Sequence, residues 1–231
     1  MMVTPEIQRL FDQAKHIVFL TGAGVSTASG IPDYRSKNGI YQGTLQRPEY
    51  LLSTEALERE PEAMYDFMKE NMYFPQAKPN IIHERMAEMT HIRGAKIISQ
   101  NVDGLHEAAG AENVLNFHGT LYDIYGVITG TTSTVEYYLA NMRLPNGELL
   151  RPAITLYGEI PFRVEEASQW VREADLLVIV GTSFVVYPFA GLLEYAKAGT
   201  PILAINMETI DTMYPVHQII GDANEFFATL E

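Results

Sequence analysis

The sequence predicts an α/β fold in which a Rossmann-like, doubly wound parallel sheet carries a small inserted module. Its short apolar runs are continuous rather than alternating, which is typical of strands covered by helices on both faces. Segments with helical periodicity separate these runs, as expected when strands and helices alternate along a parallel sheet. Residues 122–146 break this alternation with a polar and aromatic stretch rich in Gly, Thr and Tyr, and this stretch predicts the module.

Seven apolar runs are predicted to form buried strands, and six other segments are predicted to form helices. The predicted strands are residues 16–20, 95–99, 113–117, 153–157, 175–180, 201–205 and 216–220. The predicted helices are residues 4–15, 54–73, 80–93, 163–173, 187–198 and 224–230. Thr54 is the expected N-cap of the second helix, Pro61 interrupts that helix early, and Gly94 ends the third. Residues 35–52 show no clear periodicity and are expected to form a long binding loop.

The composition limits the classes of function. The 231 residues suit one large domain with its own core. The net charge of −13, from 16 Lys and Arg against 29 Asp and Glu, argues against direct nucleic-acid binding. No apolar run approaches the roughly 20 residues that cross a bilayer, and the N-terminus has no signal pattern, so we expect a cytoplasmic protein without a membrane partner. The chain has no cysteine, which excludes disulfides, thiol nucleophiles, iron–sulfur clusters and cysteine-based zinc sites.

The first predicted strand runs directly into a glycine-containing turn, Thr21-Gly22-Ala23-Gly24. Such a turn lets backbone N–H groups approach a phosphate in doubly wound folds. Thr27 stands where the dinucleotide fingerprint has its third glycine, and no acidic residue ends a second strand about 20 residues later, so an ordinary dehydrogenase is disfavoured. By itself the turn is nearly as consistent with a plain strand–turn–helix junction.

An acid, an aromatic ring and a cation follow this turn, as Asp33, Tyr34 and Arg35. An arginine near a pyrophosphate makes a charge-assisted contact, and an aromatic ring can wall off a reacting sugar. A loop anchored by an Arg–carboxylate pair explains the same residues equally well.

Polar side chains also follow two of the later predicted strands. Gln100, Asn101 and Asp103 come directly after the second strand, and His118 follows the third. Ligands of α/β sheets bind at the carboxyl edge, where these side chains are expected to lie. A histidine in that setting can accept a hydroxyl proton at neutral pH. The other histidines are expected to be hydrogen-bonded structural residues: His16, His83, His91, His106 and His217.

These motifs belong to three longer stretches, namely residues 22–36 (GAGVSTASGIPDYRS), residues 100–106 (QNVDGLH) and the pair His118-Gly119. Other segments follow in order: Arg151-Pro152, Tyr157-Gly158-Glu159, residues 181–188 (GTSFVVYP) and Ile205-Asn206. Any one of these blocks is weak evidence. Together, over almost the whole chain, they resemble the signature pattern of the sirtuin family of NAD-dependent protein lysine deacylases, in its bacterial form.

The resemblance implies that NAD binds at the carboxyl edge of the sheet. Asp103 and the backbone of Val102 are implied to hold the carboxamide of nicotinamide, and Asn206 the adenosine ribose. The full set of implied cofactor-binding residues is Gly22, Ala23, Gly24, Thr27, Asp33, Tyr34, Arg35, Gln100, Val102, Asp103, Gly181, Thr182, Ser183, Asn206 and Ala223.

The resemblance also implies a reaction, the removal of acyl groups from protein lysine with nicotinamide, O-acyl-ADP-ribose and free lysine as products. His118, taking a proton from the ribose hydroxyls, and Asn101, in the nicotinamide pocket, are the implied catalytic residues. Acylated lysine-containing proteins or peptides are the implied partners, and such a peptide would bind as an added strand. The implied substrate-binding residues are Tyr157, Gly158, Glu159, Val185 and Val186.

The chain departs from the family pattern in the small module. Most sirtuins hold a structural zinc there with two Cys-x-x-Cys pairs. The corresponding positions are Gly126, Thr129, Arg143 and Asn146, none of which can form that site. The resemblance leads us to expect NAD as the cofactor. Because the zinc ligands are missing, we expect no zinc or other metal and a module held together by packing.

One catalytic domain over residues 1–231 is expected, with a large NAD-binding part formed by residues 1–34, 74–121 and 153–231. Residues 35–52 would be the cofactor-binding loop, and residues 53–73 and 122–152 the small module. Members that prefer succinyl or glutaryl lysine carry a Tyr-x-x-Arg pair, but Met68 takes the place of that arginine after Tyr65, so acetyl is favoured. A mono-ADP-ribosyltransferase and a non-catalytic NAD-binding sensor remain as alternatives, and the oligomeric state stays open.

Overall fold

The computed structural model describes residues 3–33 and 48–231, and its main feature is a parallel sheet of six strands. The strands, in chain order, are β1 Ile17–Thr21, β2 Lys96–Ser99, β3 Val114–Asn116, β4 Gly119–Gly126, β5 Thr132–Ser133, β6 Leu150–Ile154, β7 Leu176–Val180, β8 Ile202–Asn206 and β9 His217–Ile220. The main sheet has the order β3-β2-β1-β7-β8-β9, and all of its neighbouring strands are parallel. The strand order reverses between β1 and β7, which confirms the predicted doubly wound sheet.

Helices connect the strands of this sheet. The α-helices are α1 Pro5–Gln13, α2 Pro48–Leu51, α3 Thr54–Arg59, α4 Pro61–Asn71, α5 Ile81–Arg93, α6 Leu105–Ala108, α7 Val135–Ala140, α8 Val164–Glu173 and α9 Ala223–Thr229. Two 3-10 helices, Ala23–Ser29 and Ala190–Tyr195, complete the set in the described ranges. None of the helices within residues 3–33 and 48–231 has the length and apolar character that a membrane span requires.

The side chains of the strands point alternately into two cores, one on each face of the sheet. Phe19 packs with α1, α5 and α9 on one face, whereas Leu20 packs with α8 and the 3-10 helix Ala190–Tyr195 on the other. Every residue of β1, β7 and β8 is buried. This two-sided burial explains why the predicted strands are continuous apolar runs.

Residues 153–157, predicted as a buried strand, are only partly in one, and that strand does not belong to the main sheet. The strand there is β6, Leu150–Ile154, and it pairs antiparallel with β4 in a separate sheet of order β5-β4-β6. An apolar run indicates burial but not which sheet the strand joins. The start of the strand was not recognised because Arg151 and Pro152 interrupt the apolar pattern. Together with α7, this sheet builds the predicted small module.

Two predicted helices differ from the structure. Residues 54–73 form α3 and α4, separated at Glu60, because Pro61 has no N–H and begins a new helix. The N-cap of α3 is Ser53, whose Oγ accepts a hydrogen bond from Ala56 N, and not Thr54. Of residues 187–198, only Ala190–Tyr195 are helical, as a 3-10 helix. Of the predicted loop 35–52, residues 35–47 lie outside the described residues.

The turns that follow β1 and β7 touch each other where the strand order reverses. Gly22 N donates to Val180 O at 3.1 Å, and Gly24 N donates to Gly181 O at 2.8 Å. A Cβ on Gly24 would lie 2.7 Å from the Cα of Gly181, closer than two such atoms can approach. The glycines are therefore needed so that two backbones can meet at this point.

We expect Gly181→Ala to destabilise the protein more than Gly199→Ala. Both glycines have positive φ, 63° and 84°, so alanine at either position costs about 1–2 kcal/mol of backbone strain. At Gly181 the new Cβ would also lie 2.5 Å from Val25 N, whereas at Gly199 nothing lies within 4 Å. The clash adds about 1–3 kcal/mol, as overpacking does. Urea unfolding measures the difference, and equal losses in the two variants would contradict the close contact of the turns.

Candidate functional site

A cleft of about 1100 Å³ opens at the carboxyl edge of the main sheet. Its walls include the segments after β1, β2, β3, β6, β7, β8 and β9, which are far apart in sequence. Most of the candidate site residues line it: Ala23, Gly24, Thr27, Asp33, Gln100, Asn101, Val102, His118, Tyr157, Gly158, Glu159, Gly181, Thr182, Ser183, Val186, Asn206 and Ala223.

The remaining candidates do not line the cleft or cannot be placed. Gly22 lies beneath its floor, packed against the turn after β7. Asp103 sits behind Ser26, to which it is hydrogen-bonded, and Val185 is 55% exposed beside the cleft. Tyr34 and Arg35 lie outside the described residues.

His118 is held in one tautomer by a backbone carbonyl. Its Nδ1 lies 3.2 Å from Gln100 O, and because a carbonyl oxygen only accepts, Nδ1 carries the proton. The neutral ring therefore has its lone pair on Nε2. Burial lowers the pKa of His118 below its ordinary value of 6.5, and the hydrogen bond to Gln100 opposes this only in part. At neutral pH the ring is thus uncharged and able to accept a proton.

Ser26 connects the polar residues behind the cleft. Its Oγ donates to Asp103 Oδ2 at 2.6 Å and accepts from Asn101 Nδ2 at 3.1 Å. Leu105 N donates to the other oxygen of Asp103 at 2.9 Å. Burial raises the pKa of Asp103 above its ordinary value of 3.8, although these hydrogen bonds oppose the rise. One N–H of the Asn101 amide is thus used by Ser26, while its second N–H and its Oδ1 have no bond to Ser26.

Two buried histidines support this network from below. Asn80 N donates to His83 Nδ1 at 3.3 Å, so the proton of His83 is on Nε2, 3.4 Å from Ser26 Oγ. The ring of His106 lies 4.9 Å from that of His83, and its Nε2 lies 3.1 Å from Thr21 Oγ1. Burial lowers the pKa of His83 to about 4 and, with a smaller effect of His83, that of His106 to about 3. Both rings are neutral at pH 7, so His83 positions Ser26, and His106 packs behind His83, without adding charge.

A second chain of hydrogen bonds links the other half of the cleft. Thr182 Oγ1 donates to Gln100 Oε1 at 2.8 Å, and Thr182 N donates to Asn206 Oδ1 at 3.0 Å. The Nδ2 group of Asn206 is buried and finds no hydrogen-bond partner among the described residues. A buried donor without a partner is costly, so it fits a hydroxyl of a bound ligand. This donor, the close-approach glycines and His118 together fit NAD.

The segment after β6 is locked by an ion pair. Arg151, which is buried, donates to both carboxylate oxygens of Glu159, at 2.7 and 3.0 Å. Leu156 N also donates to Glu159, at 2.8 Å. Burial raises the pKa of Glu159, but these hydrogen bonds outweigh it, so the pKa lies below its ordinary value of 4.5. Both oxygens of Glu159 therefore serve to hold this segment in place.

We expect Glu159→Gln to destabilise the protein by about 1.5–3 kcal/mol at pH 7, the value of hydrogen bonds to a charged group. Because the folded-state pKa is lowered, this stabilisation is present above pH 4.5 and is lost as the pH falls through the folded-state pKa. Urea unfolding at pH 7 and at several values below 4.5 measures the difference from the unchanged protein, which should shrink with acid. The exposed Glu194→Gln is the control, and a difference independent of pH would contradict the ion pair.

Several residues of the site were missed by sequence reasoning. Ser26 lies inside the motif of residues 22–36 but is not among the candidate site residues, and only its position between Asn101 and Asp103 shows that it joins them. The apolar wall of the cleft was also missed, because its members come from separate segments and look like core: Leu52, Met72, Ile154 and Leu156. No sequence signal distinguishes them from ordinary buried residues.

The four positions that would hold a zinc ion do not fit one. Gly126, Thr129, Arg143 and Asn146 offer no thiolate or imidazole, and the chain has no cysteine anywhere. Across residues 3–33 and 48–231, no group of three or more His, Asp or Glu side chains could hold a metal ion. The carboxylate of Glu148 fills the space beside Gly126 instead.

Comparisons with known proteins identify what this chain is similar to. Residues 22–188 match the model of the Sir2 family. An NAD-dependent protein deacetylase of Listeria monocytogenes serotype 4b is 48% identical over 97% of this chain and 99% of its own length. One of Enterococcus faecalis is 49% identical over 93% of this chain and 91% of its own.

Solved structures give the same result. A Sir2 variant with a deacetylated p53 peptide and 3′-O-acetyl ADP-ribose has a TM-score of 0.90 and 31% identity, covering 99% of this chain and 97% of its own. A Sir2 homologue in complex with NAD has a TM-score of 0.87 and 31% identity, covering 99% of this chain and 92% of its own.

Proposed function

This chain belongs to the Sir2 family, and from that premise we propose that it is an NAD-dependent protein deacetylase, which frees lysine and releases nicotinamide and O-acyl-ADP-ribose. The observation that carries the proposal is the meeting of His118, Asn101 and Gln100 with the glycine turn in one cleft. Relatives at 48% and 49% identity with that name support it. The proposed partners are acetylated proteins or peptides.

NAD supplies a ribose carbon from which nicotinamide can leave. The residues of this chain that would hold NAD are those at the carboxyl edge. Asn206 Nδ2 is the donor for a ribose hydroxyl, and the turn from Gly22 to Gly24 lets the backbone approach the pyrophosphate. The hydrogen bonds from Thr182 to Gln100 and Asn206 keep these side chains in place before the ligand arrives.

We assign the proton transfer to His118. Its Nδ1–H is held by Gln100 O, so Nε2 is the atom that takes a proton from a ribose hydroxyl and lets that oxygen attack the acyl carbon. The lowered pKa keeps the ring in its basic form at neutral pH. Ser26 fixes the amide of Asn101 through one hydrogen bond and the carboxylate of Asp103 through another.

An apolar wall supports acetyl as the preferred acyl group. Leu52, Met72 and Leu156 line the same cleft as His118, and none of the lining side chains that the structure describes is Lys or Arg. Tyr65 occupies the position of the tyrosine that members with a preference for acidic acyl groups carry, but its hydroxyl donates to Leu139 O on α7 at 2.9 Å. A carboxylate entering this wall would lose its hydration without gaining a cation.

An assay with acyl-lysine peptides and NAD tests the activity. We expect acetyl peptide to lose its acetyl group with release of one nicotinamide per lysine freed, and succinyl peptide to react far more slowly. Mass spectrometry of peptide and protein measures both products. If the acetyl peptide stays intact while a protein gains ADP-ribose, the chain is a mono-ADP-ribosyltransferase. If NAD binds without any release of nicotinamide, the chain is a non-catalytic NAD-binding sensor.

We expect His118→Ala to lower the rate of deacetylation by about 10²–10⁴-fold, the usual contribution of a general base, with little change in unfolding. The activity of the unchanged protein should fall with acid through a midpoint below pH 6.5, because the base must be neutral and burial lowers its pKa. The control is His217→Ala, at an exposed position outside the cleft. Full activity in the His118 variant would refute the assignment.

The cytoplasmic location that the composition predicts stays a prediction. So does the division into a large NAD-binding part and a small module at the residue boundaries given above. Both are compatible with an enzyme that acts on lysine residues of other proteins.

A further inference from the structure

We propose that the buried carboxylate of Glu148 replaces the metal ion as the centre that holds the two loops of the small module together. The first loop is residues 126–131 and the second is residues 143–149. In the family's pattern, a zinc ion would join these loops through Gly126, Thr129, Arg143 and Asn146, positions that offer no ligand here. Glu148 is only 6% exposed, which is unusual for a glutamate.

The first loop donates to this carboxylate. Ile128 N and Thr129 N lie 2.8 and 2.7 Å from Glu148 Oε1. The hydroxyl of Thr129 lies 3.1 and 3.0 Å from the two carboxylate oxygens, and it accepts from Thr131 N at 3.2 Å. Three donors from two consecutive residues thus converge on one anion, as backbone N–H groups converge on an anion in a nest.

The second loop holds Glu148 through its backbone. Glu148 N donates to Asn146 Oδ1 at 3.0 Å, and Leu144 N donates to Glu148 O at 2.8 Å. Arg143 donates to Gly147 O at 3.1 Å and pairs with Glu62 on α4 at 3.2 Å. Arg143 and Asn146, at two of the four positions that hold zinc in the family's pattern, therefore order the loop that presents the carboxylate.

Gly126 supplies the space. A Cβ at this position would lie 2.4 Å from Glu148 Oε1 and 2.8 Å from its Cδ. Any side chain at residue 126 would force the carboxylate away from Ile128 and Thr129. Each of the four positions thus has a distinct part in this arrangement: Gly126 makes room, Thr129 donates, Asn146 accepts and Arg143 braces the loop.

The replacement reverses the sign of the charge at the centre of the two loops. A zinc ion is a cation that collects thiolates from both loops. Here an anion that belongs covalently to one loop collects N–H and O–H donors from the other, and such charge-assisted hydrogen bonds are the strong ones. The backbone hydrogen bond from Thr129 is the largest cause that lowers the pKa of Glu148, so the carboxyl is ionised at neutral pH.

Hydrogen exchange of the full chain tests the proposal. In Glu148→Ala, we expect the amides of Ile128 and Thr129 to exchange at least about tenfold faster, because their acceptor is gone. Glu148→Gln, which keeps one uncharged acceptor, should give a smaller increase and serves if the alanine variant does not fold. Glu136→Gln, an exposed acid on α7 of the same module, is the control and should change these rates less than threefold.

A double-mutant cycle with Gly126→Ala provides the second test. Alone, this substitution should speed exchange at Ile128 and Thr129 about as much as loss of the carboxylate, because the new methyl group displaces it. In the Glu148→Ala background it should add little, and in the Glu148→Gln background it should remove only the protection that the amide still gives. Independent, additive effects would overturn the proposal.

A metal measurement completes the experiment. We expect a chelator to leave the exchange rates and the thermal midpoint of the unchanged protein as they are. Stoichiometric zinc in purified protein, or faster exchange at Ile128 and Thr129 after chelation, would overturn the proposal, and so would unchanged exchange in both Glu148 variants. None of these measurements depends on catalytic activity, so their failure would leave the proposed deacetylation standing.

Discussion

The close contact between the turns after β1 and β7 is the constraint on which the cleft depends. Gly24 and Gly181 meet backbone to backbone because neither has a side chain, and this contact sits where the strand order reverses. Parallel strands on both sides then deliver Gln100, His118, Thr182 and Asn206 to the same edge. The ladder between β1 and β7 joins the two halves of the sheet, and the contact of the turns brings the backbone after β1 directly against the backbone after β7.

Burial sets the chemistry of the groups gathered there. His118 is kept neutral by burial and in one tautomer by its hydrogen bond to Gln100 O. His83 and His106 are also kept neutral by burial, and His83 supports Ser26. A low-dielectric floor made of neutral rings strengthens the hydrogen bonds above it, because water does not compete for the donors. The same burial would be costly for unpaired polar groups, and so nearly every polar side chain at the site is already bonded to another.

The small module shows that a family's metal can be lost without loss of the architecture around it. A ladder of aromatic rings joins the module to the site: Tyr65 packs on Tyr138 with ring centres 5.2 Å apart, Tyr138 on Tyr73 at 6.3 Å, and Tyr73 on Tyr122 at 6.5 Å. Tyr122 in turn lies against Gly104, next to Asp103. A continuous set of packed rings therefore links the module to the turn that carries the polar residues behind the cleft.

The sequence by itself determined the doubly wound sheet, the positions of six of its seven predicted strands to within one residue, and the strand ends after which Asn101 and His118 lie. Those features are local in sequence. A strand that is buried on both faces has a continuous run of apolar residues, and the turn that follows it has glycines or polar residues. Only the tertiary structure decided which sheet Leu150–Ile154 joins, that Ser26 and His83 meet across 57 residues, and that Glu148 fills the place of a metal. Each of these depends on contacts between segments that are distant in sequence, and the sequence of one segment does not indicate which other segment it contacts.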